Sequence, residues 1–345
     1  MFVRRLRLSL RGWGGVGAMA VGCVLALAFV LLLPLTQSHG EDGGDSASGG
    51  GKLATGRQAR AGDCVDSQVQ NDTWAPSGAD GATIEAIKAR KGSARKLVVG
   101  VDQNSYRWGY RNPNNSDADL EGFDIDLVHR IAKDILGDAN DVTFKAIPTS
   151  QRIPALQQGR VDMVVRTMTI TCKRLDDVAF SAPYFRTGQQ VLAPKSSPVS
   201  GYNTTLADKQ VCVAASSTAL DDVTADRQSG KVPSSVRITV VPNQLDCLVR
   251  LQLGEVDAVI TDGALAASQA AQDPTVALKG PAFTTEYYGV AMNKKATDLV
   301  RRVNQILVDY RSDGWQDSYT KWLSATLGAD SAASEPPAPQ YLRTS

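Results

Sequence analysis

The sequence predicts an α/β protein of two lobes joined by two strands, and three observations predict it. The 345 residues are enough for two domains of ordinary size. Short runs of β-branched and apolar residues alternate with longer stretches of helical periodicity, the order that builds parallel sheets. Polar and acidic residues directly follow several of the apolar runs, at Asp102, at Thr167 to Thr171 and at Asp262. Open α/β sheets bind ligands at the carboxyl ends of their strands.

In chain order, Gly81 to Arg90 reads as a short helix with Ile84 and Ile87 on one side. Lys96 to Val101 is the first core strand, with Asp102 at its carboxyl end. Tyr106, Trp108 and Tyr110 follow and are expected to supply an aromatic wall beside a polar site. Asn112 to Leu120 reads as a polar hairpin loop. Phe123 to Leu136 is an amphipathic helix with Leu127, Val128, Ile131, Ile135 and Leu136 on one face. Asp124 and Asp126 near its start suit capping and the helix dipole. Val142 to Ile147 is the next strand, and Thr149 to Pro154 opens another helix. Arg152 sits near that helix start, where a cation is electrostatically unhelpful, which favours a functional reason for it.

Val161 to Val165 is a strand that turns polar. Thr167, Thr169 and Thr171 alternate with Met168 and Ile170, so in extended chain the three hydroxyls share a face. Arg174 follows within reach. Hydroxyls, backbone N–H groups and a planar guanidinium suit a carboxylate; the alternative is a loop whose Arg174 pairs with Asp176 or Asp177. Arg166 adds positive potential to this site or pairs with Asp162. Gln190 to Ala193 reads as a strand leaving the first lobe, the first hinge. Gln210 to Ala214 is a strand, and Ser216-Ser217-Thr218 then open a helix. That turn is either an anion site at a helix N-terminus or plain capping. Val236 to Val241 is a strand, Leu245 to Leu253 a helix, and Val256 to Ile260 a strand ending at Thr261-Asp262. Tyr287 to Met292 is the return strand and second hinge. Leu299 to Tyr310 and Trp315 to Leu327 are closing helices, with Trp315, Tyr319 and Trp322 in the core. The first lobe is therefore expected over 92–192 plus 286–328, and the second over 193–285.

The ends read differently. Arg4, Arg5, Arg7 and Arg11 form a basic head, and Gly14 to Leu35 is uncharged and largely apolar, near the roughly 20 residues a helix needs to cross a bilayer. Basic residues before the span favour a cytoplasmic N-terminus. Residues 1–40 are thus a signal or membrane-anchor segment. The length of the run and the lack of an Ala-x-Ala site favour a retained anchor over a cleaved signal peptide, and lipidation at Cys23 is a third fate. All three place the rest of the chain outside the cytoplasm. Residues 41–91 are expected to be linker and N-terminal extension, the first part rich in Gly, Ser, Ala and Asp. Residues 329–345, with Pro336, Pro337 and Pro339, are expected to be an extended or disordered tail.

The formal net charge of +1 argues against a nucleic-acid partner. The two histidines, His39 and His129, lie apart from any cysteine cluster with metal-ligand spacing, so neither a metal nor a cofactor is expected. Apart from Cys23, the cysteines are Cys64, Cys172, Cys212 and Cys247. Four allow three pairings. Cys212 and Cys247 fall in one predicted lobe, which favours Cys212–Cys247 and leaves Cys64–Cys172 to tie the extension to the edge of the threonine-rich loop.

Four segments occur in a telling order: Gly122-Phe123-Asp124-Ile125-Asp126-Leu127; Asp162 with Thr167-Met168-Thr169-Ile170-Thr171 and Arg174; Phe180-Ser181-Ala182-Pro183-Tyr184; and Asp257-Ala258-Val259 with Asp262. From Arg95 to Leu327 the chain resembles the bacterial extracellular solute-binding proteins for polar amino acids. The resemblance implies the periplasmic-binding-protein (Venus flytrap) fold, whose cleft closes on a ligand. It implies that Arg174, Thr167 and Thr169 hold an α-carboxylate, that Ser217 and Thr218 touch it from the second lobe, and that Asp262 holds the α-ammonium. Arg152, in a Ser-Gln-Arg-Ile-Pro segment, would meet a side-chain carboxylate. Glutamate or aspartate is therefore the expected ligand. Asp102 stands where some acidic-ligand relatives carry a cation, which keeps glutamine and asparagine open. The implied partner of a monomeric, membrane-tethered binding protein is an ABC importer permease. The alternative is a sensor reporting to a membrane partner and a kinase pathway, as in the actinobacterial relatives it resembles. A dehydratase or lyase on this fold would need a general acid or base. Only Asp102 and Asp262 are candidates, and both have binding roles, so no enzyme is expected.

Overall fold

A computed structural model describes Cys64, residues 68–112 and residues 119–344. The expected signal or anchor segment and most of the linker lie outside the described residues. Among the described residues no helix is long and apolar enough to cross a membrane.

The strands are, in order, β1 (Leu97–Val101), β2 (Asn104–Ser105), β3 (Gly109–Arg111), β4 (Leu120–Glu121), β5 (Val142–Ala146), β6 (Met163–Val164), β7 (Val178–Phe180), β8 (Phe185–Thr187), β9 (Gln189–Pro194), β10 (Gln210–Ala214), β11 (Arg237–Val241), β12 (Ala258–Asp262), β13 (Val276–Lys279), β14 (Glu286–Tyr288) and β15 (Ala291–Asn293). One five-stranded sheet has the order β5-β1-β6-β15-β7, and the other β11-β10-β12-β9-β13. In each, the central strands run parallel, β1 beside β5 and β6, and β10 beside β11 and β12. Later strands return antiparallel to them, β15 in one sheet and β9 in the other. Each sheet carries one lobe.

The first lobe's core follows from the sequence pattern. The helix Phe123–Leu136 buries Phe123, Leu127, Val128, Ile131 and Ile135 and ends on Gly137 in the left-handed region. Its start depends on Gly122, at φ 133°, where a Cβ would stand 2.4 Å from the Trp108 carbonyl oxygen. Trp108 is fully buried and packs edge-on against Phe123, Phe185 and Tyr288. It is therefore core rather than site wall. Trp315 and Tyr319 are core as expected, and Trp322 is half-buried.

Two expectations are corrected. The strand Gln190 to Ala193 does not leave the first lobe: β9 pairs with β12 and β13 inside the second sheet. Val191, Leu192 and Ala193 are buried to the last atom, as fits a strand covered on both faces and not a hinge. The crossing pair is β8 with β14, joined antiparallel from Thr187↔Glu286 to Phe185↔Tyr288, and we place the lobe boundary before Gln189. Gly188 follows β8, and a Cβ there would lie 2.0 Å from the Thr284 carbonyl oxygen, so only glycine lets the two connections run this close. The tail is extended, but it is also packed. Leu342 N donates to Asn71 O at 3.0 Å and Arg343 N to Thr73 O at 3.0 Å, while Arg343 pairs with Asp72 through two bonds of 2.5 and 2.6 Å. Composition hid the partner, because the acid that orders Arg343 lies at the other end of the chain.

Both disulfides are formed as expected, Cys212–Cys247 from β10 to the helix Gln244–Gln252 and Cys64–Cys172 beside the threonine-rich loop.

Candidate functional site

The carboxyl ends of β6, β10 and β12 face one another across the lobes. Between them is a narrow cleft lined by Arg152, Thr167, Thr169, Arg174, Ser217, Thr218, Gln244 and Asp262 among others. Seven of these were expected from the sequence; Gln244 was not.

Past β6 the chain kinks. Thr167 has φ 43°, an outlier for a β-branched residue. Its backbone N–H donates to Asp124 Oδ2 at 3.0 Å, and Asp124 Oδ1 accepts from Tyr184 Oη at 2.9 Å. Asp124 is thus not a cap: the helix has no side-chain cap bond at its start, and the carboxylate pins the threonine-rich loop instead. Burial pushes its carboxyl up to about 7. Thr171 caps the single turn Cys172–Leu175 by accepting from Arg174 N at 3.2 Å.

That turn aims Arg174 back into the cleft. Its Nη1 donates to Thr169 O at 2.6 Å and its Nη2 to Ser216 O, across the lobes, at 3.1 Å. Arg152 donates from Nε to Thr149 O at 3.0 Å and from Nη2 to the same Ser216 carbonyl at 3.2 Å. Neither guanidinium pairs with a carboxylate of the described residues, so the alternative partners Asp176 and Asp177 are not used. Both are at least nine-tenths buried, and burial lowers the affinity of each for its proton, for Arg152 with the added repulsion of Arg174 and Arg166. Ser216 offers its carbonyl from a left-handed conformation, φ 57°. Ser217 caps the helix Thr218–Ser229, accepting from Leu220 N at 3.1 Å.

Asp262 is buried at the end of β12. It accepts from Gln189 Nε2 and Tyr288 Oη. Burial and the nearby Glu286 push its carboxyl up to about 7. Glu286 itself is buried on β14, accepting from Thr169 Oγ1 at 2.6 Å, Thr218 Oγ1 at 3.2 Å and Gln189 Nε2 at 3.0 Å.

Three expected site residues are placed elsewhere. Arg166 does not pair with Asp162, which is held by Arg90 and by Val98 N–H. It is fully buried against Asp102, Nη2 to Oδ2 2.9 Å, and donates to Ile147 O, Thr149 Oγ1 and Asn243 Oδ1. Asp102 also accepts from Gln103 N, Asn104 N and Ser105 Oγ. These two charges satisfy each other beside the cleft rather than lining it. Tyr106 stacks edge-on with Tyr110 and lies nearer Leu245 and Gln269 than Arg174. The sequence reading missed Gln189, Glu286 and Gln244. An acid and an amide inside apolar strands, and an amide at a helix start, were the signals available.

The match to known proteins agrees with this geometry. Residues 97–325 match the family model described as bacterial extracellular solute-binding proteins, family 3. The chain is 35% identical over 242 residues to the ABC transporter glutamine-binding protein GlnH of Bacillus subtilis, covering 70% of this chain and 84% of that one. It is 29% identical over 248 residues to the glutamate-binding protein GluB of Corynebacterium efficiens, covering 68% and 80%. Among solved structures, an ancestral arginine-binding protein bound to glutamine superposes with a TM-score of 0.59 at 34% identity, covering 66% of this chain and 97% of that one. The chain belongs to family 3 of the bacterial extracellular solute-binding proteins, the amino-acid-binding, non-enzymatic components of ABC importers.

Proposed function

We propose that the ligand is a dicarboxylic amino acid, glutamate or aspartate, held by closure of the two lobes and presented to an importer from a membrane-tethered chain. The observation that carries this is the pair Arg152 and Arg174, two buried guanidiniums that share one carbonyl and bond no carboxylate among the described residues. Buried cations of this kind require counter-charge. An α-carboxylate on Arg174 and a side-chain carboxylate near Arg152 supply it, and Asp262 takes the α-ammonium. The charge of Asp102, which favoured an amide, is already met by Arg166.

Glutamine is the second reading, favoured by the B. subtilis relative named for it. Calorimetric titration with glutamate, aspartate, glutamine, asparagine, histidine and arginine decides between them. The acidic reading expects glutamate or aspartate to bind tightest. It also expects Arg152→Gln to weaken them at least about tenfold more than it weakens glutamine, the size of one charge-assisted bond. Tighter binding of glutamine, with no such selectivity, replaces the acidic reading. Binding of none of the six removes the assignment.

A further inference from the structure

We infer that Glu286 is a positioning residue for the amino-group subsite, and that it makes a ligand ammonium obligatory by fixing which way the cleft hydroxyls point. The inference rests on the amino-acid reading of the cleft.

A threonine hydroxyl has one hydrogen to give and lone pairs to accept with. Thr169, from the first lobe, gives its hydrogen to Glu286 Oε2 at 2.6 Å. Thr218, from the second lobe, gives its hydrogen to the same oxygen at 3.2 Å. A carboxylate has no hydrogen to return, so both hydroxyls are committed as donors inward and can only accept from the cleft that they line, which assigns the hydroxyls of Thr169 and Thr218 to the amino group instead of the α-carboxylate expected from the sequence. Asp262 lines the same cleft and is also an acceptor. Glu286 therefore converts two ambivalent groups into acceptors beside a third. A ligand hydroxyl, with one hydrogen, can reach only one of them; an ammonium, with three, can reach all, Thr218 through the lone pair left beside its bond from Gln189 Nε2 at 3.0 Å.

The charges lead to the same result. Gln189 Nε2 bonds both Asp262 Oδ1 and Glu286 Oε1, so the two buried carboxylates sit against one amide nitrogen. Their other described partners are hydroxyls, of Tyr288, Thr169, Thr218 and Thr284. No arginine or lysine pairs with either among the described residues. Arg152 and Arg174 act on these carboxylates through space alone, and buried carboxylates bonded only by neutral donors favour a cation in direct contact. Position matters too. Glu286 lies on β14, one of the two crossing strands, so it holds a hydroxyl from each lobe only when the lobes are together.

The test compares L-glutamate and L-glutamine, each beside its 2-hydroxy analogue, by calorimetry on the wild-type protein and Glu286→Gln. The variant keeps the shape, but at the Oε1 position its amide nitrogen would face Gln189 Nε2 donor to donor, so the nitrogen is driven to the Oε2 position, where it donates to both threonines and reverses both hydroxyls. The expected result is a loss of about 10- to 100-fold for the amino acid, the size of a hydrogen bond to a charged group, and less than about threefold for the hydroxy analogue. The amine preference then collapses. Equal losses for both ligands, or no loss for either, overturn the inference and leave the amino-acid reading standing. A wild type that binds neither amino acid overturns both. Should Glu286→Gln fold poorly by its thermal midpoint, Thr218→Val removes one acceptor from the other side. It is expected to erode the amine preference in the same direction, and an unchanged preference there overturns the inference.

Discussion

Replacing Arg166 by Met separates a buried strut from a ligand contact. Arg166 is fully buried and Asp102 nearly so, 2.9 Å apart. Removing one member of such a pair costs about 3–5 kcal/mol, because the other charge stays buried. Asp102 would keep its bonds from Gln103 N, Asn104 N and Ser105 Oγ, which places the cost at the lower end. The acceptors Ile147 O and Asn243 Oδ1 also lose a donor, which adds about 1 kcal/mol. The total is about 4 kcal/mol. For a domain of this size that lowers the thermal midpoint by roughly 8–16 °C, at 2–4 °C per kcal/mol. Asp102→Asn combined with Arg166→Met removes both charges and is expected to recover about half of the loss, as the cost of an unpaired buried ion disappears. Ligand affinity of the single variant, titrated below its midpoint, is expected to change less than about fivefold, since neither residue lines the cleft. A midpoint within about 2 °C of wild type, with affinity down more than tenfold, would refute the reasoning and return Arg166 to the ligand.

Arg174→Ala removes the proposed carboxylate anchor and both of its carbonyl bonds; calorimetry is expected to show a loss of at least about 100-fold. Affinity is expected to fall with acidification. Burial and Glu286 hold the Asp262 carboxyl near 7, so below that pH the free protein carries a proton that the ammonium must displace, costing up to about tenfold per pH unit. A flat affinity profile from roughly pH 5 to pH 8 would refute this. The stability of the free protein should follow the opposite trend: Asp124 and Asp262 are raised in the fold, so their contribution is greatest below the unfolded carboxyl range and is lost as pH rises through about 7. Replacing Cys212 and Cys247 by Ala opens a link between residues 35 apart, and chemical denaturation should show a loss of about 3–4 kcal/mol.

The elements that could be read from the sequence were those in which local pattern and burial agree. The helix Phe123–Leu136, the strand LVVGV and the acid at the end of β12 carry their periodicity or position in a few consecutive residues. Thr167, Thr169 and Arg174, close together in the sequence, line one cleft, but not as one face of an extended chain: Thr167 is kinked and Thr171 caps the following turn. What stayed hidden depends on pairs far apart in the chain. Asp102 looked like a ligand group because its counter-ion, Arg166, comes from another strand. Asp124 looked like a cap because nothing local shows that Thr167 N–H and Tyr184 Oη converge on it. Glu286 sits on a strand that crosses between lobes and Gln189 at the start of β9, directly past the other crossing, where an acid or amide reads as an ordinary edge residue until the crossing is known. The misplaced hinge has the same origin, because whether β9 belongs to one sheet or the other is decided by its neighbours β12 and β13.

The contacts between the lobes indicate how closure is controlled. Besides the crossing strands and the packing of Ala264 and Leu265 into the first lobe's core, the lobes meet through polar contacts that include Thr149 N–H on Pro242 O at 3.3 Å, Arg166 on Asn243, the exposed pair Lys173–Asp221, and Arg152 and Arg174 on Ser216 O. None of these is a large apolar surface. An exposed ion pair such as Lys173–Asp221 contributes about 0–1 kcal/mol, and a neutral hydrogen bond about 1 kcal/mol, much of it recovered from water on opening. Polar contacts of that kind contribute little to holding the cleft shut. Against closure stand the two unpaired guanidiniums and the two carboxylates that it buries. A zwitterion with its own opposed charges relieves both costs at once, and only when both lobes reach it. A ligand shifts such an equilibrium by its difference in affinity for the two states and no further. On the proposed reading that difference is concentrated in the buried charges, and selectivity for an amino acid and control of closure then fall to the same four side chains: Arg152, Arg174, Asp262 and Glu286.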